Sequence, residues 1–312
     1  MRRATPKSPG SVACVVLNWN GAARIERCLQ SLRSSRHVKP RILVVDNGSV
    51  DGSLDRVRER FAGVKIIRHD ANIGLAAARN EGARTAFRGG AEFVLFIDDD
   101  AWLPPESLSL LGNILRGQAG VGVVTPRILY AKKRGRIWYD GGALGPAGDT
   151  VHQNMERDER GVLRPDAGVT VESAFATGCC MLVRRKAFEN VAGFDEEYFV
   201  YCEDSDFSFR LRKKGWGILH APGINAFHDV SGDTSANKGK AYRDYYVTRN
   251  TLRLQRIHGE GGRLLFLWYF LWKRVLIPDL YFIFTGQLRR AKAVHLGVRD
   301  YRRRIFGQGH FR

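Results

Sequence analysis

The stretch that decides the fold is Phe93-Val94-Leu95-Phe96-Ile97-Asp98-Asp99-Asp100. Its apolar half is aromatic and branched, which predicts a buried β-strand, and Leu103–Glu106 carries the signals of a helix start. Three adjacent carboxylates at a strand end repel one another unless a cation lies among them. An all-oxygen cluster suits Mg2+ or Mn2+ shared with phosphate oxygens. The alternative is a solvent-exposed turn in which one aspartate caps the helix.

The same order of strand, polar loop and helix occurs three times before this stretch. Strands are predicted over Ser11–Leu17, Arg41–Val45 and Val64–Ile67, and each precedes a helical pattern. This alternation predicts an α/β fold, with a mainly parallel central sheet and helices on both faces. Such sheets bind ligands at the carboxyl ends of their strands.

Polar side chains follow all four predicted strands: Asn18 and Asn20, then Asp46 and Asn47, then Asn72, then Asp98–Asp100. In a parallel sheet these groups share one edge, which predicts a nucleotide-sized crevice with a metal at one side. The first strand is not followed by Gly-x-Gly-x-x-Gly, and the sequence contains no Gly-x-x-x-x-Gly-Lys-Ser/Thr motif. The metal and side chains must therefore hold the phosphates.

A second acidic cluster lies in Tyr198–Phe207 and opens an amphipathic helix. Acids in a first helical turn complement the helix dipole, and capping is the simpler interpretation of Asp206. Glu203 and Asp204 follow aromatic residues and exceed what a cap needs. A carboxylate between aromatic walls beside a metal suits a general base that deprotonates a hydroxyl nucleophile.

The middle of the chain is less regular. Over Gly120–Val171 the periodicity weakens, which predicts strands or loops that cover the crevice and move in part. Val171–Val183 is predicted as a strand that contains Thr177 and Gly178. His228 ends a later strand, just before a Gly/Ser loop, and is either a metal or diphosphate ligand or an ordinary surface or core histidine.

The helix predicted over Lys240–Ile257 carries arginines, among them Arg249. These arginines either bind phosphate or form a solvated face. Leu264–Phe284 is apolar and aromatic but is interrupted by Lys273, Arg274, Pro278 and Asp279, so no membrane-spanning helix is predicted. The segment and the basic tail after Gln287 suit an interfacial helix on an anionic membrane; the alternative is that they pack back on the domain.

Composition limits the function classes. The 312 residues carry a net charge of +18, which implies an anionic partner. The five cysteines lack zinc-like spacing, and no signal peptide is visible, which indicates reduced thiols in a cytoplasmic protein. We predict a flexible N-terminus (1–10), a main domain (11–256) with a nucleotide-binding half (11–119) and an acceptor-binding half (120–256), and a helical extension (257–312).

From about Val12 to Leu254 the chain resembles family 2 glycosyltransferases of the GT-A fold, nearest to their bacterial rhamnosyltransferase-like branch. The motifs that carry this resemblance are Val-Val-Leu-Asn18-Trp-Asn20, Val-Val-Asp46-Asn-Gly-Ser, Asn72-Ile-Gly-x-Ala-x-Ala-Arg79-Asn80, Asp98-Asp-Asp100, Gly193-Phe-Asp195-Glu, Glu203-Asp204-x-Asp206, and His228 with Ser231. The resemblance implies metal-dependent transfer of a sugar from a nucleotide diphosphate donor with inversion at the anomeric carbon.

The resemblance also implies roles for residues. Asp46 contacts the nucleotide base, Asp98 the ribose side and Asp100 the metal; His228 is a further metal or diphosphate ligand, and Asp204 is the base that deprotonates the acceptor. The full set of candidates is as follows: Asp204 and Glu203 for catalysis; Asn18, Asn20, Asp46, Asn72, Arg79, Asp98 and Asp99 for the nucleotide; Asp100, Asp98 and His228 for Mg2+ or Mn2+; Ser231, Arg249, Thr177 and Gly178 for diphosphate or acceptor.

The implied partners are a nucleotide-sugar donor and an acceptor hydroxyl on a cell-surface glycan or polyprenyl-linked lipid, as in cell-wall or polysaccharide biosynthesis. L-Rhamnose from dTDP-rhamnose is the first expectation for the sugar, and galactofuranose, glucose and N-acetylhexosamines remain alternatives. The basic extension predicts peripheral attachment to the inner face of the cell membrane.

Two other function classes compete. A sugar-nucleotide nucleotidyltransferase would carry a Gly-rich loop with Arg or Lys after its first strand, and Asn18–Gly21 is not such a loop. A nucleic-acid-binding protein would explain the charge of +18, but its phosphates would be repelled by two acid clusters. We therefore predict no nucleic-acid partner.

Overall fold

The computed structural model of the chain describes residues 11–145, 149–230, 237–259 and 262–311. The strands are β1 Val12–Asn18, β2 Arg41–Asp46, β3 Lys65–Arg68, β4 Phe93–Asp98, β5 Ala101–Trp102, β6 Val121–Tyr130, β7 Ile137–Tyr139, β8 Gly142–Leu144, β9 Thr150–His152, β10 Val171–Glu172, β11 Cys180–Arg184 and β12 Gly217–His228. The helices are α1 Ile25–Arg33, α2 Ser53–Arg60, α3 Leu75–Arg88, α4 Ser107–Gly117, α5 Arg185–Asn190, α6 Glu203–Lys213, α7 Asn237–His258, α8 Arg263–Phe270, α9 Ile277–Phe284 and α10 Leu288–Arg302. Short 3-10 turns span Glu159–Gly161 and Glu196–Tyr198, and a π-helical segment, Leu271–Leu276, joins α8 to α9.

The central sheet has the order β10-β12-β6-β11-β4-β1-β2-β3. Strands β4, β1, β2 and β3 are mutually parallel, and their register aligns Leu17 with Asp98 and Asn18 with Asp46. The polar residues that follow these strands therefore meet at one edge, as the sequence predicts. Helices cover both faces, since alternate residues of β1 pack against α1 and α2 on one side and against α3 on the other.

Helix α3 lies unusually close to the sheet because it presents alanines and Gly82. A Cβ at Gly82 would overlap Val15 Cγ1 and would lie 3.0 Å from Val45 Cγ2. Alanine and glycine allow the helix backbone to approach the strands closely. This packing fixes the position of Arg79, which lies one turn before Gly82.

The second half of the sheet differs from the prediction for Gly120–Val171. Its first part is β6, a strand of ten buried residues between β12 and β11, and it is not a cover over the crevice. The polar Thr125 and Arg127 and the intervening Pro126 interrupt the apolar pattern. Both polar side chains have internal partners: Thr125 Oγ1 donates to the Cys180 carbonyl, and Arg127 pairs with Asp140.

The prediction of a single strand over Val171–Val183 is also wrong. The structure has β10 at Val171–Glu172, which is antiparallel to β12, and β11 at Cys180–Arg184, which is antiparallel to both β4 and β6. Residues 173–179 form the connection, and the Cys179 carbonyl accepts a hydrogen bond from Asp98 N. This connection therefore passes the carboxyl end of β4.

The C-terminal extension packs on the main domain through α7. Helix α10 lies along α7, and Leu252 of α7 joins Phe266, Phe270 and Val294 in a separate apolar cluster. No helix in the described part of the chain is long and apolar enough to cross a membrane. All five cysteines are free thiols; four are buried, and Cys202 is half-buried.

Candidate active site

Arg79 joins the two acid clusters that the sequence separates by about a hundred residues. Its side chain is 1 % exposed. Arg79 Nη1 donates to Glu203 Oε1 at 2.5 Å, and Nη2 donates to Asp98 Oδ1 at 3.1 Å. A buried guanidinium needs anionic partners, and its planar fork can serve two carboxylates at once. Arg79 therefore fixes the end of β4 relative to the start of α6.

Glu203 and Asp204 are neighbours with different environments. Glu203 is 3 % exposed, and burial together with the adjacent Asp204 raises the pKa of Glu203 to about 7. Asp204 is half-buried; its Oδ2 accepts from Gly178 N at 2.9 Å, and its Oδ1 accepts from Ser205 N at 2.7 Å. Of the pair, only Asp204 combines a fixed carboxylate with access to solvent.

Gly178 lies where the two acid clusters come together. A Cβ at this position would lie 2.5 Å from Arg79 Nη1, so a larger residue would displace the guanidinium. The neighbouring Thr177 is 3 % exposed, and its Oγ1 accepts from Cys179 N. Gly178 is therefore part of the acid cluster, whereas Thr177 stabilises the connection behind it.

Asp100 and His228 form a second pair at the same edge. Short antiparallel pairing of β5 with the end of β12 aligns His228 with Ala101, and His228 Nε2 lies 3.1 Å from Asp100 Oδ1. Burial alone would lower the pKa of His228, but the Asp100 carboxylate raises it above the ordinary value. Asp100 Oδ1 and His228 Nδ1 are buried without an aligned hydrogen-bond partner, a donor set that fits a divalent cation.

A complete protein ligand set is not assembled. Within the described ranges, no three His, Cys, Asp or Glu side chains converge as metal ligands. Asp98, predicted as a third ligand, is engaged by Arg79 instead. The described residues thus offer two candidate ligands for a cation at this edge, Asp100 and His228.

The side chains predicted to bind the nucleotide form a network below the surface. Asp46 is fully buried; its Oδ1 accepts from Asn18 Nδ2 at 2.6 Å, and its Oδ2 accepts from Ser49 N at 3.2 Å. Asn20 Oδ1 accepts from Val50 N at 3.0 Å. In the described conformation, Asn18 and Asp46 therefore brace the loops after β1 and β2.

Asn72 and Asp99 brace neighbouring loops in the same way. Asn72 Oδ1 accepts from Asn47 Nδ2 and from Gly74 N, both at 2.9 Å. Asp99 is 6 % exposed and lies 3.5 Å from Arg24; burial, reinforced by Asp100, raises the pKa of Asp99 to about 7. Asp99 lies beneath the β1–α1 loop rather than at its surface.

Three apolar side chains on these loops were missed by the sequence reasoning. Trp19, Val50 and Ile73 follow β1, β2 and β3 and are 41, 91 and 39 % exposed. They present apolar area at the edge where the crevice is predicted. Each is a single apolar residue among polar neighbours, a signal visible in the sequence but not used there.

Comparison with known proteins identifies the family. Residues 13–192 match the model described as glycosyl transferase family 2. The chain belongs to this family. Family 2 membership confirms the resemblance and the enzyme class, and it favours neither the nucleotidyltransferase nor the nucleic-acid-binding alternative.

The relatives of this family 2 glycosyltransferase include rhamnosyltransferases. It is 27 % identical over 248 residues to the N-acetylglucosaminyl-diphospho-decaprenol L-rhamnosyltransferase of Mycobacterium tuberculosis strain H37Rv, covering 70 % of this chain and 76 % of the relative. Over 69 residues it is 39 % identical to the rhamnosyltransferase WbbL of Escherichia coli K12, covering 22 % of this chain and 26 % of the relative.

Solved structures confirm the fold class. GalNAc-T7 with UDP, GalNAc and Mn2+ superposes with a TM-score of 0.59 at 16 % identity, covering 88 % of this chain and 58 % of that chain. The Pyrobaculum calidifontis mannosyltransferase PcManGT, in complex with GDP-Man and Mn2+, gives a TM-score of 0.56 at 19 % identity, covering 96 % of this chain and 76 % of that chain. The α/β GT-A architecture is thus shown.

One predicted site residue of the family 2 enzyme, Arg249, does not line this edge. Arg249 is fully buried, and its guanidinium donates to Asn250 Oδ1 and to the carbonyls of Gly307 and Tyr198. It therefore supports the protein interior and is not placed to contact a diphosphate, which corrects the prediction. Ser231 lies outside the described residues.

The structure adds an aromatic group beside His228. The rings of Trp138 and His228 lie 4.5 Å apart between centroids, and those of Trp138 and His152 lie 4.8 Å apart. His152 Nδ1 lies 3.2 Å from the Trp138 carbonyl, and burial lowers the pKa of His152. Both residues come from the stretch of weak periodicity, so sequence reasoning had no signal that selected them.

Proposed function

We propose that this family 2 enzyme transfers a sugar from a nucleotide diphosphate donor to an acceptor hydroxyl with inversion, and that Asp204 is the general base. The observation that carries the proposal is the placement of Asp204. Its carboxylate is held by Gly178 N, remains partly exposed, and adjoins the cluster of Arg79, Asp98 and Glu203. A base needs a fixed position and access to the hydroxyl proton.

A single displacement with inversion needs one carboxylate base beside the acceptor, the role proposed for Asp204. The acceptor oxygen attacks the anomeric carbon while the bond from that carbon to the diphosphate oxygen breaks, and Asp204 accepts the hydroxyl proton. Glu203, enclosed beside Arg79, is not placed to form a covalent intermediate with the sugar. Asp100 and His228 would hold the Mg2+ or Mn2+ ion, which supplies positive charge to the leaving diphosphate.

L-Rhamnose from dTDP-rhamnose is the proposed donor, and a polyprenyl-linked glycan is the proposed acceptor. The support is the similarity to the M. tuberculosis and E. coli rhamnosyltransferases. Trp19, Val50 and Ile73 are proposed as the apolar surface that receives the nucleobase, with Asn20 and Asn72 at its margin.

Peripheral membrane binding through α8, the π-helical segment and α9 is also proposed. Large apolar side chains are exposed along this run, from Leu264 at 83 % to Trp268 at 63 % and Phe284 at 84 %. Lys273 and Arg274 are exposed on the same run, and exposed Arg289 and Lys292 follow on α10. Apolar and cationic side chains together match the interface of an anionic bilayer. We place the enzyme at the inner face of the cell membrane.

The deciding experiment compares Asp204→Asn with Asp55→Asn, a surface control on α2. Purified proteins are assayed with candidate sugar nucleotides and a polyprenyl-diphosphate-linked acceptor, with and without Mn2+. We expect Asp204→Asn to lower kcat by roughly 10²- to 10⁴-fold, the usual contribution of a general base. Nucleotide-induced thermal stabilisation should persist, about 2.7 kcal/mol at 100 times Kd. Equal loss of nucleotide binding would make Asp204 a structural residue instead.

A further inference from the structure

The loop before the catalytic pair has an unusual backbone. Phe199, Tyr201 and Cys202 all have positive φ angles, of 63, 64 and 68°. Non-glycine residues in this region cost about 1–3 kcal/mol each and persist only where the surroundings enforce them. The loop ends directly at Glu203, where α6 begins. Its conformation therefore sets the position of Asp204.

Asn250 holds this loop from α7. It is fully buried, and its Nδ2 donates to the carbonyls of Tyr198, Val200 and Tyr201 at 2.8, 2.8 and 2.9 Å. An amide has two N–H groups, so the three contacts share them. From the other side, Leu75 N at the start of α3 donates to the Phe199 carbonyl at 2.6 Å. The loop is thus fixed between α7 and α3.

The end of the chain fixes α7 at the same place. Arg249 Nη1 donates to the Gly307 carbonyl at 2.8 Å, while its Nη2 reaches the Tyr198 carbonyl at 3.2 Å. Tyr246 Oη donates to the Gln308 carbonyl at 2.6 Å, and Gly307 N donates to the Glu197 carbonyl at 2.8 Å. The tail contacts both α7 and the segment that leads into the strained loop.

We propose that residues 305–311, the C-terminal clamp, position Asp204 for catalysis by holding Arg249 and Asn250 against the 198–202 loop. In this proposal the clamp is a positioning element that acts through geometry alone. The proposal rests on the proposed role of Asp204 and assigns a function to a tail about a hundred residues away in sequence. Loss of the clamp should slow transfer without weakening donor binding, because among the described residues no hydrogen bond or ring contact links the tail to the nucleotide loops after β1–β3.

Two glycines of the clamp provide a matched test. Gly307 and Gly309 both have a φ of 63°. A Cβ at Gly309 would overlap Tyr245 Oη and lie 2.8 Å from Arg249 Nη1, whereas a Cβ at Gly307 meets nothing within 4 Å. Alanine therefore imposes the same backbone strain at both sites but displaces the clamp only at 309. Asn250→Asp is a second variant that keeps size and removes the donors, and Asn113→Asp at an exposed position of α4 is its control.

Hydrogen exchange and kinetics on the full chain decide the proposal. Without substrate, we expect exchange over residues 196–206 to be at least tenfold faster in Gly309→Ala and Asn250→Asp than in Gly307→Ala and Asn113→Asp. We expect kcat to fall tenfold or more, with the donor KM within twofold. Equal exchange in Gly309→Ala and Gly307→Ala would overturn the clamp, as would faster exchange with an unchanged kcat. If the wild-type chain transfers no sugar, the proposed function fails separately, and exchange still tests the clamp.

Discussion

Substitution of Asp100 or His228 would test whether a metal ion contributes to nucleotide diphosphate binding. The pair has the oxygen and nitrogen donors that suit a divalent cation shared with diphosphate, at 3.1 Å from each other. We expect Asp100→Asn to weaken nucleotide diphosphate binding tenfold or more in the presence of Mn2+. Without metal, the variant and the wild type should bind alike. Isothermal titration with and without Mn2+ measures this difference, and undiminished metal-dependent binding would place the cation elsewhere.

Asp140 makes stability depend on pH. It is buried, where desolvation would raise its pKa, but hydrogen bonds from His220, Arg127 and Asn154 hold that pKa well below its usual range. Its stabilisation is therefore complete above the unfolded-state pKa of 3.8 and is lost as pH falls below it. We expect Asp140→Asn to lose about 3–5 kcal/mol at neutral pH, because Arg127 is left buried without its carboxylate.

Urea unfolding at several pH values checks the prediction for Asp140. The difference between wild type and Asp140→Asn should stay constant from pH 7 to about 5 and shrink below the ordinary aspartate pKa. Asp55→Asn, which breaks an exposed pair with Arg58, should change the free energy of unfolding by no more than about 0.5 kcal/mol. If the difference in the free energy of unfolding between wild type and Asp140→Asn grew at acidic pH, the lowered pKa of Asp140 would be contradicted.

At the residue scale, sequence predicts chemical types better than accessibility. Residue pattern alone does not rank the adjacent carboxylates Glu203 and Asp204, although the family resemblance favours Asp204 as the base; burial beside Arg79 gives Glu203 a different environment. Asp46 lies at the end of β2, and its oxygens face Asn18 and Ser49. Arg249 lies on a predicted helix, but its partner Gly307 is distant in sequence and could not be predicted from local pattern. These differences arise from contacts distant in sequence.

At the scale of elements, the first four strand–helix units follow from local periodicity. Strands β1, β2 and β4 contain uninterrupted apolar runs, β3 has Ile66 and Ile67 after Lys65, and polar residues mark the end of each strand. β6 was not predicted as a strand of the central sheet because Thr125, Pro126 and Arg127 interrupt its apolar run. Its partners β11 and β12 also follow much later in the chain. A strand whose polar residues are satisfied by distant groups has no local signature.

The close approach of α3 to the sheet gives a prediction for this helix. Alanine at Gly82 would overlap Val15, so we expect Gly82→Ala to destabilise the fold by about 1–3 kcal/mol through overpacking. Gly112→Ala on α4 is the matched control, because the nearest atoms to its Cβ would belong to the guanidinium of Arg116, at 3.3 Å or more. There the better helix propensity should stabilise by up to about 1 kcal/mol. Denaturant unfolding of both variants measures the contrast, and equal effects would contradict the packing argument.

At the scale of the whole molecule, exposed apolar residues and positive charge meet on the C-terminal extension. We expect the protein to sediment with phosphatidylglycerol vesicles, to bind phosphatidylcholine vesicles far less, and to release at high salt. Leu264→Ser should weaken binding severalfold. Leu163→Ser is matched, since both leucines are 83 % exposed and only Leu264 lies on the proposed surface. Equal binding by the two variants would remove this surface from the interface.

The sequence predicted the helical extension but not its packing against α7. Apolar periodicity over 264–284 and the basic residues after it are local features. The packing of α10 along α7, and the return of the tail to Glu197, depend on pairings across more than forty residues. The division at residue 256 remains a prediction, although α7 itself runs through it to His258.

The rate at which a thiol reagent labels the five free cysteines reports on opening of the protein. Burial raises the pKa of every thiol, for Cys202 to about 12, so a thiol reagent reacts slowly with the closed protein. Cys202 lies in the strained loop, whereas Cys14 and Cys180 lie in central strands. The labelling rate of Cys202 thus measures local opening beside the catalytic pair. The labelling rates of Cys14 and Cys180 measure unfolding of the whole sheet.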